Sequence, residues 1–218
     1  MVICRLGCTR GRGDTCTQQR RSGTLPWQRM AERGGNVPQD RDGNQVRMAF
    51  ALEQWVPVAI DSLVEAAGTY NGYITYKQLT DAVQDITGIT HKGGIQNWSG
   101  QLLEPIVLHC HRKGLPPLTS LCVHADGTVG VGYRAVLREA GEPIPESLDE
   151  LDDHAAAARL ECYSFFGAEL PPGGGKPTLT PKVRAARDRK KAANPVPPKL
   201  CTIHFMQLPL TGICSECD

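Results

Sequence analysis

The sequence predicts an α+β, mainly helical protein, on three observations. Apolar residues recur at helical spacing in three consecutive segments after Met48. Two short β-patterned runs flank an Asp126-Gly127 turn. The chain closes on two chelating pairs, Cys201-x-x-His204 and Cys214-x-x-Cys217. Together these predict a winged helix-turn-helix followed by a small C-terminal zinc ribbon.

Composition narrows the function before any motif does. The 218 residues suffice for one ordinary domain or two small ones. Lys and Arg number 24 against 23 Asp and Glu, and this net charge of +1 excludes a uniformly basic nucleic-acid coat and an acidic tail protein. No apolar run is long enough to span a bilayer. The first residues carry Arg5, Arg10, Arg12 and Arg20 without an apolar block, which excludes a secretory signal. The chain therefore reads as cytoplasmic. Thiols stay reduced there, and clustered cysteines signal metal rather than disulfides.

Residues 1–47 read as a disordered Arg-rich leader. From Met1 to Gly34 there are seven Arg, three Cys and no Lys. So little apolar patterning cannot offset the entropy of ordering. Met30 and Met48 are alternative translation starts, since the patterned sequence begins only after Met48.

The first helix follows from the stripe Leu52, Trp55, Val56, Ala59, Ile60, Leu63, Ala67. Pro57 must bend it or lie in its first turn. Gly68 and Asn71-Gly72 end it. Tyr73-Ile74 is extended. Thr75 and Gln78 form a capping box for the second helix, with Ile74 and Leu79 as its hydrophobic staple. That helix runs through Val83 and Ile86 to Gly88. After the polar loop His91-Lys92-Gly93-Gly94, a third helix starts near Asn97 or Ser99. It carries Leu102, Leu103, Ile106, Val107 and Cys110, and closes at Gly114 behind the cations His111-Arg112-Lys113.

Two strands are expected next, Leu118–Val123 and Thr128–Tyr133, joined by the Asp126-Gly127 turn. Helix, short strand, helix, helix, hairpin is the order of a winged helix, here over 48–138. Ile74-Thr75-Tyr76-x-x-Leu79 also resembles the start of the second helix in winged-helix domains, including those of DNA alkyltransferases. Residues 139–169 hold an acidic helix that starts on a second capping box, Ser147 with Glu150. Between Glu139 and Glu161 eight residues are acidic and only Arg159 is basic. Residues 170–199 read as a Pro/Gly-rich linker with a basic block.

The tail 200–218 is the sharpest signal. Two short chelating pairs nine residues apart present three sulfurs and one imidazole, the donor set of a closed structural Zn2+ site. So short a segment cannot fold on an apolar core, so the metal supplies the folding energy. Cys201, His204, Cys214 and Cys217 are the expected ligands.

No catalytic constellation accompanies this set. Cys110-His111-Arg112 resembles the Pro-Cys-His-Arg motif of DNA alkyltransferases, but His109 replaces the proline and the triplet ends a helix. Gly173-Gly174-Gly175-Lys176 lacks the strand and helix of a phosphate loop. The expected function is therefore non-catalytic DNA binding, regulatory or accessory, on double-stranded DNA. In a winged helix the third helix enters the major groove. Gln96, Asn97, Ser99 and Gln101 stand there as base readers. Lys92, Arg112, Lys113, Lys182, Arg184, Arg187, Arg189, Lys190 and Lys191 are the phosphate contacts. The same winged-helix face could instead dock a protein, and the basic block could instead neutralise the acidic helix of the same molecule.

One resemblance spans residues 49–218. Ile74-Thr75-Tyr76, Trp98-x-Gly100-x-x-Leu103, Pro117-Leu118-x-Ser120-Leu121-Cys122-Val123, Asp126-Gly127-Thr128-Val129-Gly130-x-Gly132-Tyr133 and the Cys/His tail together resemble a family of uncharacterised proteins from actinobacteria and their phages. That family implies an architecture and an origin. It implies no activity.

Overall fold

The computed structural model describes residues 37–194, 200–208 and 212–217. The expectations for residues 1–36 and for 195–199 lie outside the described residues. The described chain is mainly helical, with two short strands and three 3-10 turns among six α-helices.

Helix α1 (Met48–Ala67) buries Ala51, Trp55, Ala59, Leu63 and Ala67, one residue per turn. Pro57 sits inside it without ending it. Both Pro57 and Glu53 are exposed, so the Glu53 carbonyl that loses its intrahelical donor lies on the solvent face. After a turn at Asn71 comes β1 (Ile74–Thr75), and then α2 (Tyr76–Thr87). The capping box forms in both directions. The Gln78 N–H donates to Thr75 Oγ1 at 3.2 Å, and the Thr75 N–H donates to Gln78 Oε1 at 2.8 Å. Gly88, left-handed at φ 71°, ends α2 as expected.

A 3-10 turn (Ile95–Asn97) leads into α3 (Ser99–Lys113), which closes at the left-handed Gly114. The core of these three helices is built on Trp55 and Trp98, whose rings lie 4.8 Å apart. The Trp55 Nε1–H donates to the Ile89 carbonyl at 3.2 Å, so that indole is satisfied while fully buried.

The leader boundary at residue 47 is corrected by the structure. Gln39 pairs with Thr90 through two 2.8 Å backbone bonds, and Val46 packs on the core. Asp40 accepts the Asn44 N–H at 2.8 Å and closes the turn between. This local side-chain turn, rather than apolar periodicity, orders 37–47.

The expected hairpin is also corrected. Leu118–Leu121 is a 3-10 turn, because the Pro117 carbonyl accepts the Ser120 N–H at 2.9 Å. Only β2 (Cys122–Val123) is extended, and it pairs in parallel with β1, Ile74 with Cys122 and Thr75 with Val123. The Asp126-Gly127 turn forms, with the His124 N–H donating to the Thr128 carbonyl at 2.8 Å. The second strand does not. The Val129 N–H donates to Asp152 Oδ1 at 2.8 Å instead of to a strand partner, and Val131–Tyr133 coils into a 3-10 turn. No wing is formed among the described residues. A helix with no counterpart in the sequence reading follows at once, α4 (Arg134–Ala140).

Helix α5 (Leu148–Phe165) starts where its cap predicts, with Ser147 Oγ accepting the Glu150 N–H at 3.3 Å. Its acidic turns are not all solvated. Asp152 is buried, as is Arg159, whose guanidinium donates to the Ser120 carbonyl at 3.1 Å and to the Thr178 carbonyl at 3.3 Å. The expected linker contains α6 (Pro181–Ala193). No helix among the described residues is long and apolar enough to cross a membrane.

Candidate metal centre and basic surface

The tail gathers its four predicted ligands. The donor atoms of Cys201, His204, Cys214 and Cys217 all lie within 4.8 Å of one another. His204 Nδ1 is 3.8 Å from Cys201 Sγ, 3.6 Å from Cys214 Sγ and 3.3 Å from Cys217 Sγ. Cys201 Sγ and Cys217 Sγ are 3.5 Å apart. A tetrahedral ion with metal–sulfur bonds of about 2.3 Å and a metal–nitrogen bond of about 2.0 Å requires edges of about 3.8 Å and about 3.6 Å. The three sulfur–nitrogen edges bracket the second value and the Cys201–Cys217 edge is slightly shorter than the first, so the residues fit a metal ion. Among the described residues no other His/Cys/Asp/Glu group has such a geometry.

Local backbone geometry makes the first pair. Leu200 and Gln207 form an antiparallel bridge, and the Phe205 N–H donates to the Cys201 carbonyl at 2.9 Å. This turn aims the His204 N–H at Cys201 Sγ, 3.4 Å away. The N–H groups of His204 and then Ile203 favour the Cys201 thiolate and hold that thiol at about 6. The Cys217 thiol hydrogen-bonds to Cys201 and is pushed up to about 11. Thiols this close cannot all ionise without a compensating cation, which a metal ion held by these residues would supply.

The basic block has a scaffold of its own. Pro181 occupies the first turn of α6, where its missing N–H costs nothing. The Thr180 hydroxyl donates to the Gly127 carbonyl at 2.9 Å, and Lys182 Nζ donates to the Ala125 carbonyl at 2.6 Å. A Cβ on Gly127, at φ +88°, would come within 2.3 Å of Thr180 Oγ1, so this docking needs glycine twice over. Arg187 reaches Asp153 at 2.7 Å and Asp149 at 3.5 Å, and Lys190 lies 3.9 Å from Asp149. The block is thus a helix docked on the Asp126-Gly127 turn and on the acidic turns of α5. Arg187, offered above as a phosphate contact, is drawn into that internal pairing. Arg184, Arg189 and Lys191 are exposed, and among the described residues no ion pair joins them to a carboxylate.

The proposed base readers divide. Gln96 and Asn97 are exposed on the 3-10 turn, and Gln101 is exposed on the first turn of α3. Ser99 is buried and cannot face a groove, because the α3 start packs it inward. Lys92, Arg112 and Lys113 are exposed. Gln101 and Arg112 lie about 16 Å apart along α3, so the basic end and the amide-rich end are separate surfaces. His91 is buried, donates its N–H to Gln84 Oε1 at 2.6 Å and packs its ring 5.3 Å from Trp98. It belongs to the core.

The alkyltransferase-like triplet gains no support from its surroundings. Cys110 is buried and its thiol is pushed up by that burial, whereas a nucleophile needs a lowered value. No protein-family model matches this chain, nor does any curated protein or solved structure.

Proposed function

We propose that this chain is a non-catalytic DNA-binding accessory protein whose tail is closed by a structural Zn2+. Zinc is the metal that three thiolates and one imidazole at tetrahedral spacing select, and four protein ligands leave no position open for catalysis. The three-helix unit α1–α3 supports the helix-turn-helix half of the winged-helix reading, with Gln96, Asn97 and Gln101 available to bases. The missing wing and the carboxylate of Glu104 on the same helix argue for a weak contact there.

The observation that carries the reading is the basic helix. One set of its cations fastens it to α5, and a second set, Arg184, Arg189 and Lys191, remains exposed, with Lys191 ten positions before Cys201. Phosphate neutralisation supplies most of the affinity in such a contact. A fluorescence anisotropy titration of the full chain against random duplex DNA at two salt concentrations tests it. Affinity should fall steeply with salt. Replacing Arg184, Arg189 and Lys191 together by Ala should flatten the slope of log affinity against log salt by about 3. Salt-insensitive binding, or none at low salt, would contradict the reading.

A further inference from the structure

We infer that the metal knuckle carries a stacking platform for unpaired nucleobases, centred on Phe205. The inference rests on the nucleic-acid reading above and names the part of the nucleic acid that the tail engages.

Phe205 adopts φ 52°, the left-handed region. That conformation costs a bulky side chain free energy and costs glycine almost none. The position is fixed by the turn that aims the His204 N–H at Cys201 Sγ, so the backbone cannot relax without disturbing the ligands. Packing does not explain the phenylalanine, because its ring is 77% exposed. A strained, solvated aromatic ring on the turn that positions Cys201 and His204 is consistent with a contact outside the chain.

Its surroundings identify the contact. Leu200, Ile203, Met206 and Ile213 are also exposed, so the knuckle offers an apolar surface around the ring. The tail from Leu200 to Cys217 has only 18 residues, fewer than the 20–30 a side that a stable protein interface requires. A single base needs only one ring face, and unpaired bases stack on exposed aromatic side chains. The cations of α6 supply the backbone contacts that such a strand requires. Lys191 and Cys201 are at most about 35 Å apart along the chain, which about 10 nucleotides span.

The test uses the full metal-loaded chain with a fluorescein-labelled single strand of about 15 nucleotides and its duplex, as wild type, Phe205→Gly and Phe205→Trp. Phe205→Gly removes the ring and also relieves the backbone, so the metal content should stay at one per chain. Its single-strand affinity should fall about tenfold while duplex affinity changes less than about twofold, and Phe205→Trp should bind as wild type does. Single-strand binding by Phe205→Gly equal to wild type, or an equal loss on both strand forms, overturns the inference and leaves the nucleic-acid reading standing. A ring that serves self-association instead, seen as a concentration-dependent sedimentation change abolished in Phe205→Gly without any effect on DNA, overturns it as well. Wild type that binds neither strand form overturns both.

Discussion

The helical body and the C-terminal knuckle solve the same problem by opposite means. The body buries Trp55, Leu63, Leu79, Trp98, Leu102, Ile106 and Leu118 at 0–1% exposure, so apolar burial outweighs its chain entropy. The knuckle exposes Leu200, Ile203, Phe205, Met206 and Ile213, and among its described residues buries only Cys201 and Cys214. Its large apolar side chains are turned to solvent. The contrast teaches that hydrophobic residues are structural in one region and available for contact in the other, and that the knuckle gathers four donor atoms that could hold a metal ion where the body has an apolar core.

Chelation should separate the two most sharply. Removing the metal should melt the knuckle entirely, since structural zinc sites contribute on the order of 10–16 kcal/mol to such segments. The body should keep its melting temperature, and amide spectra recorded with and without chelator check both halves. Trp55→Ala should do the reverse. It should destabilise the body by about 3–5 kcal/mol in denaturant unfolding and leave the metal stoichiometry unchanged.

Asp152 sharpens the account of the body. Asp152→Ala should cost about 1–3 kcal/mol by orphaning the buried Val129 N–H. Asp152→Asn keeps an acceptor and should cost far less. Burial raises the Asp152 carboxyl above its ordinary value, against smaller opposing effects of the Val129 N–H, Arg187 and Arg159. A raised acid contributes stability that is present below its unfolded value and lost as pH rises through its folded value. Relative to Asp152→Asn, wild type should therefore gain as pH falls from above that raised value toward about 4, which paired unfolding curves check. The smallest effect belongs to Arg187→Ala. It should cost about 1 kcal/mol, diminishing in high salt, by loosening α6 from Asp149 and Asp153.

What the sequence made legible was local. Thr75 with Gln78, Ser147 with Glu150, and the left-handed Gly88 and Gly114 act within a turn of themselves, and each lies where its pattern places it. The two Cys/His pairs are local as well, and short spacing carries most of their geometry. The missing second strand and the unexpected α6 are tertiary effects. Thr128–Tyr133 has strand-like residues, yet Asp152, 23 positions away from Val129, takes the hydrogen bond a strand would need. Assigning Tyr133 to a strand then hid α4, although Arg134–Ala140 followed by Gly141 is a sound helix with a C-terminal glycine. The basic block looked like linker because its charges repel. It is helical because Arg187 finds the carboxylates of α5 38 and 34 positions back, at Asp149 and Asp153. Phe205 carried no signal, since a left-handed backbone angle at a non-glycine cannot be read from spacing.

Native mass spectrometry of the purified full chain tests the division of labour most directly, read beside the thermal unfolding of Cys214→Ser. The account predicts one zinc per wild-type chain, none bound to Cys214→Ser, and the same melting temperature for the body in both. Wild type without stoichiometric metal, or a Cys214→Ser body that melts several degrees lower, would contradict it.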